Sequence, residues 1–198
     1  AAMALALAGN HSVTQFNAKM KAKARQIGMS NVKIVNPVGL TNQQIDDFKI
    51  DGIPNNAENE MTARDVAILA RYLIQTYPEL LQVTSQKQAT FHNTEVKEKD
   101  EKNLNQMLPG CKYTVSGVTI NGLKTGTSDN AGACFVSSGK YKGHEIITVI
   151  LHANGQDSDN RFRQTQALYQ MLKDNYQLQT VKVPHDVRKQ PITKNDRC

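Results

Sequence analysis

The sequence contains no tryptophan, few other aromatic residues and no long apolar segment. Its longest apolar runs, Ala1 to Ala8 and Ile146 to Leu151, are far shorter than the roughly 20 residues that a membrane-spanning helix needs. The net charge is +6, but lysine and arginine are scattered, and aromatic side chains are not interleaved with them for base stacking. These absences argue against a membrane-spanning protein and against a nucleic-acid-binding protein.

Cysteine is also scarce. Cys111, Cys134 and Cys198 are widely separated, with no C-x-x-C pair and no histidine at ligand spacing, so we expect no metal and no other cofactor. Cys134 lies in an apolar, strand-like run, which predicts a small buried thiol. The histidines are isolated in sequence, so a Ser-His-Asp triad has no local support. Only His152, at a predicted strand end near the predicted cleft, is a candidate for a role.

Apolar residues recur at helical spacing in the first part of the chain. The sequence opens on a helical, alanine-rich pattern, Ala1 to Ala8, and Ser12 and Thr62 each begin a capping box before an amphipathic stretch. Residues 41–60 are polar and predict a long surface loop, and a hairpin is expected around Phe91.

The spacing changes to that of strands in the second part. Strands are predicted at Val118 to Thr125, Ala131 to Ser138 and Glu145 to His152, with a turn at Ser138 to Lys140 between the last two. Consecutive strands joined by short turns form an antiparallel meander. The meander is followed by an amphipathic pattern that predicts a helix from about Asp159 to Tyr176.

The length suits one main domain, which we expect over residues 1–183. Within it, residues 1–110 are expected to form a mainly helical lobe. Residues 111–183 are expected to contain the sheet and the last helix, with one more strand near Val181. Residues 184–198 have the composition of a linker or tail.

The sharpest local pattern is Gly122-Leu123-Lys124-Thr125-Gly126-Thr127. A Lys-Thr-Gly triplet on a strand is one of the three motifs of the penicillin-binding and β-lactamase serine enzymes. Alone it is weak, because a strand that ends in a glycine turn gives the same three residues. Here the triplet enters the predicted meander and is trailed by the predicted C-terminal helix.

Three further segments agree with one serine-enzyme family in order and spacing. They are Asn36-Pro37-Val38-Gly39-Leu40, similar to Asn-Pro-x-Gly-Leu, Ile27-Gly28-Met29, similar to a helix end Leu-Gly-Met, and Met61-Thr62-Ala63-Arg64-Asp65, similar to Ser-Thr-Ala-Arg-Asp. From about residue 1 to residue 176 the chain resembles the D-alanyl-D-alanine carboxypeptidases. The resemblance implies an α+β fold of the β-lactamase/transpeptidase type, with an antiparallel sheet flanked by helices and a helical lobe.

The chain departs from the family at the two serine motifs. Ser30-Asn31-Val32-Lys33 and Ser137-Ser138-Gly139-Lys140 match Ser-x-x-Lys literally, but they lie in a predicted extended segment and a predicted hairpin turn. Ser128-Asp129-Asn130 and Ser158-Asp159-Asn160 imitate Ser-x-Asn, yet they predict a turn and a helix N-cap. We therefore expect the nucleophilic serine to be absent. Since the family's alanine-rich helix follows its Ser-x-Asn motif, the fold is expected to be incomplete at the N-terminus.

The resemblance assigns roles to the residues around the triplet. Lys124 keeps the cleft positive for a substrate that ends in a carboxylate, which Thr125 binds, and Gly126 lets the peptide lie antiparallel to the strand. The backbone N–H of Thr127 supplies half of an oxyanion hole. Arg161 helps to hold the carboxylate, with a solvated arginine at a helix start as the alternative.

The resemblance also implies the activity and its place. The implied activity is removal of the terminal D-Ala from peptidoglycan stem peptides through a serine acyl-enzyme. The implied location is the outer face of the bacterial cell membrane, or outside the cell as a secreted protein. β-Lactam antibiotics would mimic the substrate. This chain alone is expected to be inactive, with an N-terminal fragment of the same protein as a candidate partner. The alternatives are a β-lactamase of the same fold and a non-catalytic module that binds peptidoglycan or pairs with a partner.

Overall fold

The structure is a computed structural model that describes residues 2–8, 12–93, 96–155, 157–177 and 179. The helices are α1 (Ala2–Ala8), α2 (Val13–Gln26), α3 (Ala63–Thr76), α4 (Leu80–Thr84) and α5 (Asn160–Asn175), with a short 3-10 turn at Asp46–Phe48. The strands are β1 (Val32–Lys33), β2 (Glu60–Met61), β3 (Gln88–Asn93), β4 (Val96–Lys102), β5 (Val118–Ser128), β6 (Gly132–Tyr141) and β7 (His144–Ile150).

Side-chain caps start α2 and α3 where the sequence predicts them. Ser12 Oγ accepts a hydrogen bond from the backbone N–H of Gln15 at 3.1 Å. At α3 the capping box is reciprocal, because Thr62 Oγ1 accepts from the N–H of Asp65 and Asp65 Oδ2 accepts from the N–H of Thr62. Between the two helices, the polar segment is anchored by Asn42, whose amide is fully buried and bonds to backbone groups of the same segment.

The helical part has its own apolar core. Side chains of α2 and of the segment that follows it pack against side chains of α3 and of the short strand β2. The buried members are Ala24, Met29 and Ile34, and the half-buried ones packed on them include Met20, Ile27, Met61, Ile68 and Leu69. This core holds α2 and α3 together, while β1 pairs antiparallel with β2 beside it.

Strands β5, β6 and β7 form the predicted antiparallel meander, in that order. β3 and β4 form the predicted hairpin. The turn predicted at Ser138 to Lys140 is wrong, because those residues continue β6 and Ser138 is fully buried. The chain turns at Lys142 and Gly143, whose φ values of +48° and +82° suit a two-residue hairpin turn.

Helix α5 packs on the meander and closes the second apolar core. Phe162 and Tyr169 of α5 meet Phe135 of β6, with the two phenylalanine ring centroids 5.2 Å apart. The approach is close at Gly139, where an added Cβ would lie 2.8 Å from Ile120 Cδ1. A larger residue there would force Ile120 and Tyr169 to shift, so the glycine suits the close packing of β5 and α5 on β6.

Several predictions lie outside the described residues. These are the strand near Val181, the tail over 184–198, and His11, His185 and Cys198. The division into a lobe over 1–110 and a sheet region over 111–183 stays a prediction. No helix in the described part of the chain combines the length and the apolar character needed to cross a membrane.

Candidate active site

The Lys-Thr-Gly triplet lies in the second half of β5, which forms one edge of the meander. In the register with β6, Thr125 pairs with Phe135 and Gly126 with Cys134. The other side of β5 borders a cleft of about 690 Å³. Its walls come from β5 (Lys124, Thr125, Gly126, Thr127), from the loop before β5 (Leu104, Gln106, Lys112) and from the start of α5 (Ser158, Asp159, Arg161, Phe162).

The triplet is accessible from the cleft. Lys124 is exposed, and its ammonium donates to the backbone carbonyl of Thr125. Among the residues that the structure describes, no carboxylate forms an ion pair with Lys124. A Cβ added at Gly126 would meet no heavy atom within 4 Å, so the space beside this glycine is open to the approach of another backbone.

Arg161 is built into the wall behind the triplet. It is only 8% exposed, so the alternative of a solvated helix-start arginine is wrong. Its Nε donates to the carbonyl of Ser158 at 2.7 Å, and its Nη1 donates to the carbonyls of Gly126 at 2.9 Å and Cys134 at 3.3 Å. The guanidinium therefore ties the start of α5 to β5 and β6 at the glycine of the triplet.

Among the residues that the structure describes, the cleft lining carries three cations and one carboxylate. The carboxylate is Asp159, whose Oδ2 accepts from Lys112 Nζ at 3.2 Å and from the hydroxyl of Tyr113 at 2.9 Å. Hydrogen bonding to Tyr113, and then to Asp159, raises the pKa of Lys112 above its ordinary value. Lys112 and Asp159 thus neutralise each other, whereas Lys124 and Arg161 leave the β5 side of the cleft positive.

The literal Ser-x-x-Lys matches occupy other places. Ser30 precedes β1, its backbone N–H donates to Asp65 at 2.9 Å, and Lys33 pairs with Glu60 at 2.5 Å. Ser30 and Lys33 border a separate cavity of about 440 Å³. Ser137 is fully buried in β6, so its hydroxyl cannot reach a ligand in the cleft.

The two imitations of Ser-x-Asn lie at element ends. Ser128 is the last residue of β5, and its Oγ accepts from the backbone N–H of Ala131 across the turn to β6. Ser158 precedes α5, where Asp159 occupies the N-cap position without a side-chain capping bond. The predicted N-cap role of Ser158 is therefore wrong, and this residue instead accepts a hydrogen bond from Arg161 through its backbone carbonyl.

The described cysteine and histidine side chains stand apart from the cleft lining. Cys134 is half-buried, less than predicted, and its sulfur accepts from the backbone N–H of His152 at 3.4 Å. The exposed imidazole of His152 lies 3.2 Å from the carbonyl of Ala131, so this histidine borders the β5–β6 turn. Cys111 and Cys134 are free thiols. Across the described side chains, no three His, Cys, Asp or Glu come close enough to hold a metal ion.

Sequence reasoning missed the wall that faces β5. Leu104, Gln106 and Lys112 belong to a segment that has no periodic pattern. A usable signal was the pair Asn103 and Asn105, since asparagine side chains readily bond to backbone groups in turns and loops.

Comparison with known proteins places the chain among penicillin-binding proteins. The family model described as D-alanyl-D-alanine carboxypeptidase matches residues 1–155. The D-alanyl-D-alanine carboxypeptidase DacF of Bacillus subtilis is 26% identical over 163 residues, which cover 78% of this chain and 34% of DacF. α5, with Arg161, lies beyond the matched range of the family model.

Two solved structures agree with that match. The peptidoglycan synthesis regulatory factor PBP3 of Streptococcus pneumoniae superposes with a TM-score of 0.78 and 36% identity, over 86% of this chain and 45% of that one. Penicillin-binding protein D2 of Listeria monocytogenes, in its cefotaxime-bound form, gives 0.61 and 28%, over 78% of this chain and 53% of that one.

The fold and its Lys-Thr-Gly edge are those of the serine penicillin-binding enzymes. The chain belongs to the D-alanyl-D-alanine carboxypeptidase family. The predicted α+β class and the predicted resemblance are thereby confirmed. The chain spans about half or less of the length of the relatives it matches.

Proposed function

We propose that this chain carries the substrate-binding edge of a D-alanyl-D-alanine carboxypeptidase. The enzyme cleaves the peptide bond between the last two D-Ala residues of a peptidoglycan stem peptide at the outer face of the cell membrane or in secreted form. The observation that supports this most is an accessible Lys-Thr-Gly edge strand beside a cleft with uncompensated positive charge. The Listeria relative's cefotaxime-bound form supports β-lactams as substrate mimics.

The residues of this chain would bind and polarise the substrate. The peptide would add as an antiparallel strand to the free side of β5, next to Gly126, where no side chain obstructs its backbone. Its terminal carboxylate would accept a hydrogen bond from Thr125 and lie in the field of Lys124. Arg161 would add a second positive group behind the strand, while its bond to the Gly126 carbonyl holds the strand in place.

The covalent step needs a serine that these residues do not supply. A serine Oγ would attack the penultimate D-Ala carbonyl, whose oxygen would accept from the N–H of Thr127 in the tetrahedral intermediate. Collapse of the intermediate would release the terminal D-Ala with a proton on its nitrogen, and water would then hydrolyse the ester. Neither Ser30 nor Ser137 faces the cleft, and Ser158, which lines it, has no hydrogen bond to a lysine among the described residues. We therefore propose that the serine comes from outside this chain and that the chain alone is inactive.

The test is labelling with a fluorescent penicillin, read by intact mass. It compares this chain, the chain extended with any sequence encoded before Ala1, and the extended protein with Lys124→Ala. We expect a stoichiometric adduct only on the extended protein, and a roughly 100-fold slower acylation in the Lys124→Ala variant. Lys140→Ala, which removes an exposed lysine of β6 outside the cleft, is the matched control.

Each other outcome has a definite meaning. Labelling of this chain alone would show that one of its own serines is the nucleophile. Labelling followed by fast release of hydrolysed penicillin would favour a β-lactamase. An extended protein that binds peptidoglycan without ever being acylated would favour the non-catalytic module that binds peptidoglycan or pairs with a partner.

A further inference from the structure

The loop before β5 presents one leucine to the cleft. Leu104 is 71% exposed and borders the cleft together with Lys124 and Thr125. A single exposed leucine is ordinary on a protein surface and needs no functional explanation. Leu104 differs in two respects, which are the rigidity of the backbone that carries it and its place beside the proposed binding strand.

The two neighbours of Leu104 pin its backbone. The amide of Asn103 donates to the carbonyls of Thr84 at 3.1 Å and Gln86 at 2.8 Å, and its Oδ1 accepts from the backbone N–H of Asn105 at 2.9 Å. Asn105 is itself buried. With both flanking side chains bonded to the protein, the loop is fixed, and the leucine between them is left with its apolar surface in water.

The loop is tied to the early part of β5. The amide of Asn105 lies 3.4 Å from the carbonyl of Gly122, to which it donates, and Gly122 precedes Lys124 by two residues. Along β5, Gly122 comes before Lys124 and Thr127 comes after it. Because Asn105 is tied to Gly122, the neighbouring Leu104 lies at the Lys124 end of the cleft. In the proposed binding mode this end receives the terminal carboxylate, and the reacting carbonyl lies farther along, at Thr127.

We propose that Leu104 is a specificity residue that contacts the side chain of the departing C-terminal residue. This inference rests on the proposed function, because it uses the direction in which the peptide lies on β5. An apolar contact at this point favours a small apolar terminal side chain such as the methyl group of D-Ala. It disfavours a charged or polar one, which would lose water without gaining a partner.

The size of the effect follows from the size of the contact. Each methylene or methyl group removed from water contributes a factor of about 4 to binding. Truncation of Leu104 to alanine should therefore lower kcat/KM about 3-fold to 5-fold for a peptide ending in D-Ala-D-Ala. The same peptide ending in D-Ala-Gly has no methyl group to contact, so its kcat/KM should change less than about 2-fold.

The experiment measures kcat/KM for both peptides with the longest protein that carries this chain, including any sequence encoded before Ala1. The variants are Leu104→Ala and Leu104→Met, the second of which keeps the apolar contact. The control is Val83→Ala, which truncates an apolar side chain of similar exposure, 66%, outside the cleft lining. We expect the D-Ala/Gly preference to fall in Leu104→Ala and to stay in Leu104→Met and Val83→Ala.

The other outcomes overturn the inference. Equal losses for both peptides, or an unchanged preference in Leu104→Ala, would show that Leu104 does not read the departing residue, while the proposed function stands. If the protein without substitutions releases no terminal residue from either peptide, the proposed function itself fails and this inference fails with it. That result is seen before any variant is compared.

Discussion

Replacing Arg161 by methionine tests whether the buried guanidinium holds the Lys-Thr-Gly strand in place. Methionine has a similar length and fills much of the same volume, so the change removes mainly the charge and the hydrogen bonds. The two bonds that matter join α5 to the sheet, at the carbonyls of Gly126 and Cys134. The third, to Ser158, is local to the start of α5.

The loss can be estimated from those contacts. A hydrogen bond to a charged group contributes about 1.5 to 3 kcal/mol, so the two bridging bonds give roughly 3 to 6 kcal/mol. The net loss is smaller than this, because the variant has no guanidinium to remove from water on folding. We expect the free energy of unfolding to fall by about 2 to 3 kcal/mol, which lowers Tm by roughly 4 to 12 °C in a chain of this size.

The assay is urea unfolding followed by circular dichroism, with Arg163→Met as the control. Arg163 is two residues further along α5 and pairs with Asp157 at 2.7 Å, but both side chains are about half exposed. Such pairs contribute about 1 kcal/mol or less, so the control should unfold close to the unchanged protein. Equal stability of the two variants would refute a structural role for the Arg161 bonds to Gly126 and Cys134, and Arg161 would then be only a cleft residue.

The buried hydroxyl chain and the start of α3 give two further predictions. Ser137 Oγ lies 2.7 Å from Thr148 Oγ1 and 2.9 Å from the hydroxyl of Tyr169, so Ser137→Ala leaves a buried phenol without its partner. We expect Ser137→Ala to lower the free energy of unfolding in urea by about 2 to 3 kcal/mol, against about 1 kcal/mol for Tyr169→Phe. Equal losses would contradict the expectation that an unpaired buried phenol is the costlier change. The pKa of Asp65 lies below its ordinary value of 3.8, chiefly because of the hydrogen bond from Thr62. The ionised Asp65 carboxylate therefore stabilises the folded state above pH 3.8, and this stabilisation is lost as the pH falls through the lower pKa of the folded state. The stability gap between the protein and Asp65→Asn, measured by thermal unfolding, should therefore narrow from pH 7 toward pH 3, and a constant gap would contradict this.

The local patterns of the sequence predicted the elements well where a side chain signals the boundary. The capping box at Thr62 and Asp65 starts α3 because it supplies partners for backbone groups that have none within the helix. The turn between β6 and β7 was misplaced because Ser138-Gly139-Lys140 has turn-like composition. Gly139 is there for close packing against Ile120 and Tyr169, which is a tertiary contact that no local pattern contains.

The site was predicted only in part for the same reason. The Lys-Thr-Gly strand carries a recognisable triplet, so Lys124 could be singled out before its surroundings were known. The burial of Arg161 could not, because it depends on α5 lying across β5 and β6. Leu104 and Lys112 reach the cleft only through the pinned loop before β5, whose bonds join residues far apart in sequence.

The charges of the cleft give an argument that does not depend on any motif. Of its three cations, Lys112 is paired with Asp159, whereas Lys124 and Arg161 have no carboxylate partner among the described residues. Arg161 is buried and the hydrogen-bond acceptors of its guanidinium are neutral carbonyls, and a buried charge is costly unless an opposite charge offsets it. Lys124 lies on the cleft side of the strand and Arg161 lies behind it, so an anionic group bound beside Gly126 would be attracted by both cations. A peptide that pairs with β5 and ends in a carboxylate brings such a group to this position, so the electrostatics of the cleft and the strand geometry select the same class of ligand.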